Sequence, residues 1–185
     1  MIITRTPFRI SFAGGGSDLP DFYEKYGGCV LSTSINRYCY ISIHPYFDET
    51  HTLLKYSQNE LVSDLSEIQH SILNCVLNER KISGVEITST ADVPGGTGLG
   101  SSSTLLNALN CYQGKYMSKG KLAEKACEIE IRKLGNPIGK QDQYAAAFGG
   151  LNFIRFHQDG EVSVSPVVMQ PETYQELQKN LVMFY

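Results

Sequence analysis

The sequence predicts an α+β domain with a mixed, mainly antiparallel sheet and helices packed on one face. Segments of alternating apolar and polar residues, rich in β-branched and aromatic side chains, follow one another near both ends of the chain. Between them lie segments whose apolar residues recur at helical spacing. The 185 residues suit one domain, 1–185, with enough chain for a hydrophobic core.

Strands dominate the first half of the predicted structure. Thr4–Phe12 alternates like a strand and runs into the glycine-rich turn 13–18, after which Leu19–Tyr26 is predicted to be a helix that ends at Gly27. The other predicted elements of this half are strands at Cys29–Ile35, Tyr38–Ile43, His51–Tyr56 and Gly84–Ser89, and an amphipathic helix at Glu67–Arg80.

The second half is predicted to contain helices and one hairpin. One helix follows Gly100, and two more are expected at Lys121–Leu134 and Pro171–Asn180. Leu151–Phe156 and Glu161–Val168 alternate on either side of Gln-Asp-Gly, which indicates a hairpin. Residues 181–185 have the pattern of a beginning strand, and we expect that the chain is cut short there.

Composition excludes several classes of protein. A net charge of −3 gives no electrostatic reason to expect binding to nucleic acid or to an anionic membrane. The five cysteines form no C-x-x-C pair, so we expect reduced, buried thiols and no zinc site. Without a long apolar run or a signal-peptide pattern, the chain is predicted to be cytoplasmic.

The most informative segment is the glycine-rich stretch Pro94–Ser103. Its four glycines let the backbone approach a ligand closely, and the helix that follows directs free N–H groups and its positive dipole end toward the same point. We therefore predict a phosphate site. It is not a Walker loop, because no lysine follows Gly100, and no G-x-G-x-x-G spacing occurs. The alternative is a serine-capped helix after a flexible turn.

Glu130 is the second informative residue. It lies in the middle of the apolar stripe of the predicted helix Lys121–Leu134. A carboxylate there is costly unless it is paired, hydrogen-bonded or bound to a cation. Two interpretations stay open: Glu130 reaches water at the rim of the stripe, or it is a magnesium ligand.

Three further polar residues are candidates for a ligand site, each with a structural alternative. Arg9 faces either a ligand or solvent from its strand. Asp18 is a ligand contact, the N-cap of the helix Leu19–Tyr26, or both. Asp142 is an N-cap or, with Glu130 and the glycine-rich stretch, an acid–base residue beside a metal–phosphate site.

Three stretches, Pro7–Asp18, Pro94–Ser103 and Glu130–Gly150, resemble the signature regions of the GHMP kinases, which include galactokinase, homoserine kinase and mevalonate kinase. The segments 5–20, 139–147 and 149–155 further resemble the bacterial D-glycero-D-manno-heptose 7-phosphate kinases. The resemblance implies a left-handed β-α-β crossover. It also implies a second, ferredoxin-like C-terminal domain that is absent from this chain.

The resemblance also implies roles for individual residues. Ser102 and Glu130 would bind Mg²⁺, Asp142 would orient or deprotonate the attacking hydroxyl, and Arg9 would lie near the reacting groups. Asp18 would contact sugar hydroxyls, and Lys140 the substrate or a phosphate. The residues expected around the ATP phosphates are Pro94, Gly95, Gly96, Thr97, Gly98, Leu99, Gly100, Ser101, Ser102 and Ser103.

The predicted activity is transfer of the γ-phosphate of Mg-ATP to the anomeric hydroxyl of heptose 7-phosphate, toward nucleotide-activated heptose for surface polysaccharide. Galactokinases carry Glu-His where this chain has Gly15-Gly16, so the substrate contact there differs and galactose is not expected. The candidates for holding the 7-phosphate are Arg37, Lys140 and residues of the expected second domain. The alternatives are a fucokinase-like or other GHMP small-molecule kinase, and a non-catalytic binding relative.

Overall fold

The computed structural model describes residues 1–93 and 101–182. The helices are α1 (Pro20–Tyr26), α2 (Ser71–Arg80), α3 (Ser101–Tyr112), α4 (Lys119–Cys127), α5 (Gln141–Phe148) and α6 (Pro171–Lys179), with a 3₁₀ turn at Leu65–Glu67 and a π-helix at Glu128–Lys133. The strands are β1 (Ile2–Ala13), β2 (Gly28–Pro45), β3 (Thr52–Lys55), β4 (Asn59–Val62), β5 (Val85–Ala91), β6 (Leu151–Phe156) and β7 (Val162–Pro166).

One seven-stranded sheet, with β2 as its central strand, organises the chain. The strand order is β4-β3-β5-β2-β6-β7, and β1 pairs with the other edge of β2. The β3–β5 pair is parallel, and the other pairs of the described strands are antiparallel. The predicted mixed, mainly antiparallel sheet is confirmed. The left-handed sense of the crossover stays a prediction.

Strand β2 is longer than the sequence predicts, because it replaces two predicted strands by one. Its second half pairs with β5 and its first half with β6, while β1 follows it along most of its length. The predicted break between Ile35 and Tyr38 coincides with a register shift: Pro7 pairs with Tyr38, but the next pair is Arg9 with Ser34. One continuous strand with a bulge therefore replaces the two predicted strands.

Helices α3 and α5 pack on β1 and β2, and α4 packs on both of these helices. The inner face of the sheet carries fully buried aliphatic residues, including Ile43, Ile87 and Ile154, against Leu106 and Leu109 of α3 and the residues of α5. Full burial of each such side chain contributes about 1.5–3 kcal/mol. The predicted helical face of the sheet is confirmed for α3, α4 and α5.

Helix α6 lies on the other face of the sheet. Its Tyr174 and Leu177 line a cavity of about 400 Å³ with Ile10 and Phe12 of β1. Alternate residues of a strand face opposite sides. Since Arg9 contacts α5, its neighbour Ile10 and α6 are on the opposite side.

Several element boundaries differ from the prediction. The hairpin is confirmed as β6 and β7, whereas the helix predicted over Glu67–Arg80 begins at Ser71 and β4 is not predicted. Two of the cysteines, Cys29 and Cys111, are exposed, so the expectation of buried thiols is wrong for them. Among the described residues, no helix is long and apolar enough to cross a membrane.

Candidate active site

Glu130 is placed by a change in helix type. Helix α4 ends at Cys127 and the chain continues as the π-helix, where the Leu134 N–H bonds to the Ile129 carbonyl, five residues back. Such turns are rare and occur frequently at functional sites. The Glu130 carboxylate faces α3 and α5, and its Oε1 accepts hydrogen bonds from Ser102 Oγ and, at 2.9 Å, from Gln143 Nε2. Glu130 is hydrogen-bonded within the protein, which disfavours the rim interpretation.

The donor set at this point fits a magnesium ion. Ser102 is 1% exposed, and its hydroxyl and the Glu130 carboxylate are hard oxygen donors. Within 1–93 and 101–182, no three His, Cys, Asp or Glu side chains form a metal-binding group. Magnesium sites often have only one or two carboxylates, with water and substrate phosphate completing the shell. The pair Ser102 and Glu130 is therefore compatible with a magnesium ion that is also bound by substrate phosphate and water. The described residues do not supply a complete set of protein ligands.

A second carboxylate, Asp142, is paired with a cation. Arg9 Nε donates to Asp142 Oδ1 at 2.5 Å, and Arg9 Nη2 contacts the same oxygen. The two side chains are 18% and 19% exposed. Burial raises the pKa of Asp142 above its ordinary value, and the Arg9 guanidinium counteracts part of that rise. The site thus holds a carboxylate that takes up a proton more readily than a solvated aspartate.

The register shift in β1 brings Arg9 to this face of the sheet. Thr4 Oγ1 donates to the Thr104 carbonyl of α3 at 3.4 Å, so Thr4 faces the helices. In a regular strand Arg9, an odd number of positions further on, faces away. The shift between Pro7 and Arg9 changes that alternation, and Arg9 reaches α5. The interpretation of Arg9 as a solvent-facing strand residue is wrong.

Neither aspartate is a helix cap. Helix α1 has Leu19 at the N-cap position and helix α5 has Lys140, and neither cap makes a side-chain hydrogen bond. Asp18, 2% exposed, instead accepts from the Gln141 backbone N–H at 3.0 Å and from Gln141 Nε2 at 3.2 Å. The N-cap interpretations of Asp18 and Asp142 are therefore wrong.

The other predicted site residues lie apart or outside the described chain. Lys140 Nζ donates to the Gly160 carbonyl at 2.8 Å and lies 4.4 Å from the centre of the Tyr23 ring. Gly15 and Gly16 are exposed, and a Cβ at either would meet no atom within 4 Å. Arg37 is exposed and lines the cavity beneath α6.

The glycine-rich stretch is only partly described. The predicted phosphate contacts Pro94, Gly95, Gly96, Thr97, Gly98, Leu99 and Gly100 lie outside the described residues. Ser101 begins α3. Ser103 is buried and donates to the Gln143 carbonyl at 3.2 Å. The side chain of Ser103 therefore links α3 to α5.

Three residues of the site are not predicted from the sequence. Ser11 and Gln141 lie between Arg9 and Asp18, with Arg9 Nη1 donating to Ser11 Oγ and Ser11 Oγ donating to Gln141 Oε1, both at 2.9 Å. Gln143 is 1% exposed and holds Glu130. A signal was present in the sequence, because both glutamines flank Asp142 and precede a run of alanines that marks a buried helix.

Comparison with known proteins shows similarity to the GHMP kinases. The model of the GHMP kinases N terminal domain matches residues 66–150, which include Ser102, Glu130 and Asp142. D-glycero-alpha-D-manno-heptose 7-phosphate kinase of Campylobacter jejuni is 32% identical, over 100% of this chain and 59% of that protein. The chain is therefore similar to the GHMP kinases N terminal domain over residues 66–150 and, along its whole length, to this heptose 7-phosphate kinase.

Two further proteins are similar to this chain. The crystal structure of a D-glycero-D-manno-heptose 1-phosphate kinase from Bacteroides thetaiotaomicron superposes with a TM-score of 0.85 at 30% identity, covering 96% of this chain and 63% of that one. L-fucokinase/L-fucose-1-P guanylyltransferase of Bacteroides fragilis is 26% identical over 82% of this chain and 20% of that protein. This chain thus spans less than two thirds of each of these relatives.

Proposed function

We propose that this chain is the nucleotide-binding part of an ATP-dependent sugar kinase that phosphorylates a heptose phosphate. One observation carries the proposal: Asp142, paired with Arg9, is adjacent in sequence to Gln143, whose side-chain amide donates to the Glu130 carboxylate that also accepts from Ser102. Proton transfer and phosphate charge are handled by these two kinds of group in phosphoryl transfer.

Asp142 is proposed to act on the attacking hydroxyl. Because burial raises its pKa, Asp142 is a stronger base than a solvated aspartate. It can accept the proton of the attacking hydroxyl or hold that hydroxyl in the direction of attack. Arg9 keeps Asp142 oriented and places positive charge beside the transferred group. The protein's main contribution is positioning and charge stabilisation.

Ser102 and Glu130 are proposed to hold Mg²⁺. A bound magnesium ion neutralises charge on the β- and γ-phosphate oxygens of ATP. Gln143 limits the rotation of the Glu130 carboxylate. Helix α3 begins at Ser101, directly after the predicted phosphate contacts in sequence, and a helix N-terminus favours an anion.

The proposed substrate is D-glycero-D-manno-heptose 7-phosphate, with the anomeric hydroxyl as acceptor. The similarity to the Campylobacter jejuni kinase along the whole chain supports a heptose phosphate. A fucokinase-like activity is the second candidate. Lys140 is a predicted contact of the substrate phosphate, but its ammonium donates to the Gly160 carbonyl instead. A kinase of an unphosphorylated hexose needs no cation there.

The test is an ADP-release assay on the full-length protein with Mg²⁺-ATP. Heptose 7-phosphate, heptose 1-phosphate, fucose and galactose are compared as acceptors. We expect turnover with heptose 7-phosphate, and a phosphorus NMR spectrum of the product with a second phosphate at the anomeric carbon. Turnover with fucose alone would replace the proposed substrate by the second candidate. Binding of ATP without turnover of any sugar would contradict a sugar kinase.

Asp142→Asn serves as the matched variant in this assay. The amide keeps the shape and still accepts from Arg9, but it cannot take up the hydroxyl proton. We expect turnover to fall about 10²- to 10⁴-fold, with little change in the affinity for ATP. Retained turnover would remove Asp142 from the reaction without affecting the assignment of the substrate.

A further inference from the structure

The carboxylate of Asp18 is buried and hydrogen-bonded within the protein. It is 2% exposed, and its two oxygens accept from the backbone N–H and the side-chain amide of Gln141, 123 residues away in sequence. The Gln141 N–H belongs to the first turn of α5, where backbone donors have no partner within the helix. Asp18 thus supplies from a distant loop the acceptor that Lys140 at the N-cap does not provide.

The segments on both sides of this contact are packed tightly. A Cβ on Gly139 would clash with the Asp18 carboxylate, so the backbone before α5 lies directly against it. The preceding residue, Ser17, bonds through Oγ to the Gly14 carbonyl at 2.7 Å and to the Cys29 carbonyl at 2.9 Å. The loop that carries Asp18 is therefore fixed to β2 through Ser17, and the Asp18 side chain is fixed to the start of α5.

A series of three hydrogen bonds joins the Arg9–Asp142 pair to Asp18, and in each bond the donor lies on the Arg9 side. Arg9 donates to Ser11, Ser11 to Gln141, and the Gln141 amide to Asp18. The direction of each bond is determined, because a guanidinium can only donate and a carboxylate can only accept. Gln141 fits this chain with its oxygen toward Ser11 and its nitrogen toward Asp18.

We propose that Asp18 is a positioning residue, which fixes the first turn of α5 and the guanidinium of Arg9 and thereby orients Asp142, instead of binding the sugar. The proposal rests on the proposed kinase function for its kinetic test. It differs from the sugar contact that the resemblance implies for Asp18, since the carboxylate is buried and each of its oxygens already accepts a hydrogen bond from Gln141.

The test uses Asp18→Asn in the full-length protein, with Asp21→Asn as the matched control. Asp21 is exposed in the first turn of α1. A positioning role predicts that kcat falls about 10- to 100-fold while KM for the sugar changes by less than about 3-fold. A tenfold or greater rise in KM with kcat unchanged would show a sugar ligand and overturn the proposal. The control is expected to match the wild type.

Ser11→Ala keeps the test decisive if Asp18→Asn does not fold. This variant leaves Asp18 and Gln141 bonded and removes only the link to Arg9. We expect kcat to fall about 3- to 10-fold with KM for the sugar unchanged. Wild-type kinetics in Ser11→Ala would contradict the claim that Asp18 orients Arg9 through the hydrogen bonds of Ser11 and Gln141.

Amide hydrogen exchange gives a readout that is independent of activity. The Gln141 N–H is expected to be protected in the wild type and to exchange at least tenfold faster in Asp18→Asn, with β2 unchanged. Unchanged protection of Gln141 would overturn the positioning role. If the wild-type protein phosphorylates no sugar, the proposed function fails, and this measurement still tests Asp18.

Discussion

The two carboxylates of the site, Glu130 and Asp142, lie close together but have opposite partners. Glu130 accepts hydrogen bonds from two neutral groups, the Ser102 hydroxyl and the Gln143 amide, and no Lys or Arg of the described residues forms an ion pair with it. Asp142 is paired with the guanidinium of Arg9. One carboxylate thus keeps its negative charge available for a cation, whereas the charge of the other is already balanced.

This difference separates two tasks that carboxylates perform in phosphoryl transfer. A cation is held best by a charge without a competing partner, and a proton is accepted by a group whose pKa is set by burial and by a neighbouring charge. Exchanging the environments of Glu130 and Asp142 would therefore impair both tasks. The following variants test that view, from the largest expected effect to the smallest.

Glu130→Gln removes the unbalanced charge while it keeps the side-chain size. We expect kcat/KM for ATP to fall about 10²- to 10³-fold at 1 mM Mg²⁺, with part of the loss recovered at higher Mg²⁺, because the expected cation ligand is weakened. The measurement is a Mg²⁺ titration of ADP release, with Mn²⁺ binding followed by electron paramagnetic resonance. Glu124→Gln, an exposed position on α4, is the control. An unchanged Mg²⁺ dependence would contradict the cation role.

Arg9→Met removes the balancing charge from Asp142. With Arg9 absent, the pKa of Asp142 rises further, so the acid limb of the rate profile moves to higher pH. The folded wild type already holds a proton on Asp142 more tightly than the unfolded state, and the variant holds it more tightly still. The variant therefore loses stability relative to wild type as pH rises above the raised pKa of Asp142 in the wild type.

At pH 8 we expect the free energy of unfolding of Arg9→Met to be about 3 kcal/mol below that of the wild type, with a smaller difference at pH 5. Urea unfolding at the two pH values measures this, and Arg9→Lys is the matched variant that keeps the charge. If the difference in the free energy of unfolding were larger at pH 5 than at pH 8, the expected pH dependence would be wrong.

Gly139→Ala breaks the packing that joins the Asp18 loop to α5. The added Cβ meets the carboxylate of Asp18, so either the loop or the aspartate has to move. We expect a loss of about 1–3 kcal/mol in the free energy of unfolding and a lower kcat. Gly120→Ala, where a Cβ meets nothing within 4 Å, is the control in thermal unfolding and kinetics. Equal stability of the two variants would contradict the close packing at Gly139.

Glu79→Gln gives the smallest expected effect. Glu79 of α2 bonds to Lys125 and Lys133, which lie on either side of Glu130 in sequence. These side chains are about one quarter to two fifths exposed, so the free energy of unfolding should fall by less than about 1 kcal/mol and turnover by less than about twofold. Chemical denaturation at low and high salt measures the first quantity. A large loss would show that the ion network fixes the π-helix.

The unusual position of Glu130 was visible in the sequence, but its partners were not. Its place in an apolar stripe left two interpretations open, a rim position that reaches water and a magnesium ligand, and neither specified the hydrogen bond from Gln143. The prediction of one helix over Lys121–Leu134 missed the change to a π-helix at Glu128, because side-chain periodicity does not distinguish five-residue from four-residue hydrogen bonding over one turn.

The Arg9–Asp142 pair depends on long-range structure that local patterns do not contain. The register shift between Pro7 and Arg9 reverses the alternation on which a strand prediction rests. Asp18 and Asp142 have the residue type of N-caps, yet Asp18 bonds to Gln141 and Asp142 to Arg9, partners that are 123 and 133 residues away in sequence. Local capping preference contributes about 1 kcal/mol, which tertiary contacts readily exceed.

The central position of β2 also has a consequence for the order of folding. The β1–β2 pairing joins neighbouring strands, but Gly28 of β2 pairs with Phe156, and Arg9 meets a partner 133 residues further on. Contacts between distant parts of a chain form late, because closing long loops costs entropy before any pairing compensates for it. During synthesis, β1 and β2 can pair early, whereas the Arg9–Asp142 ion pair cannot form until α5 has left the ribosome.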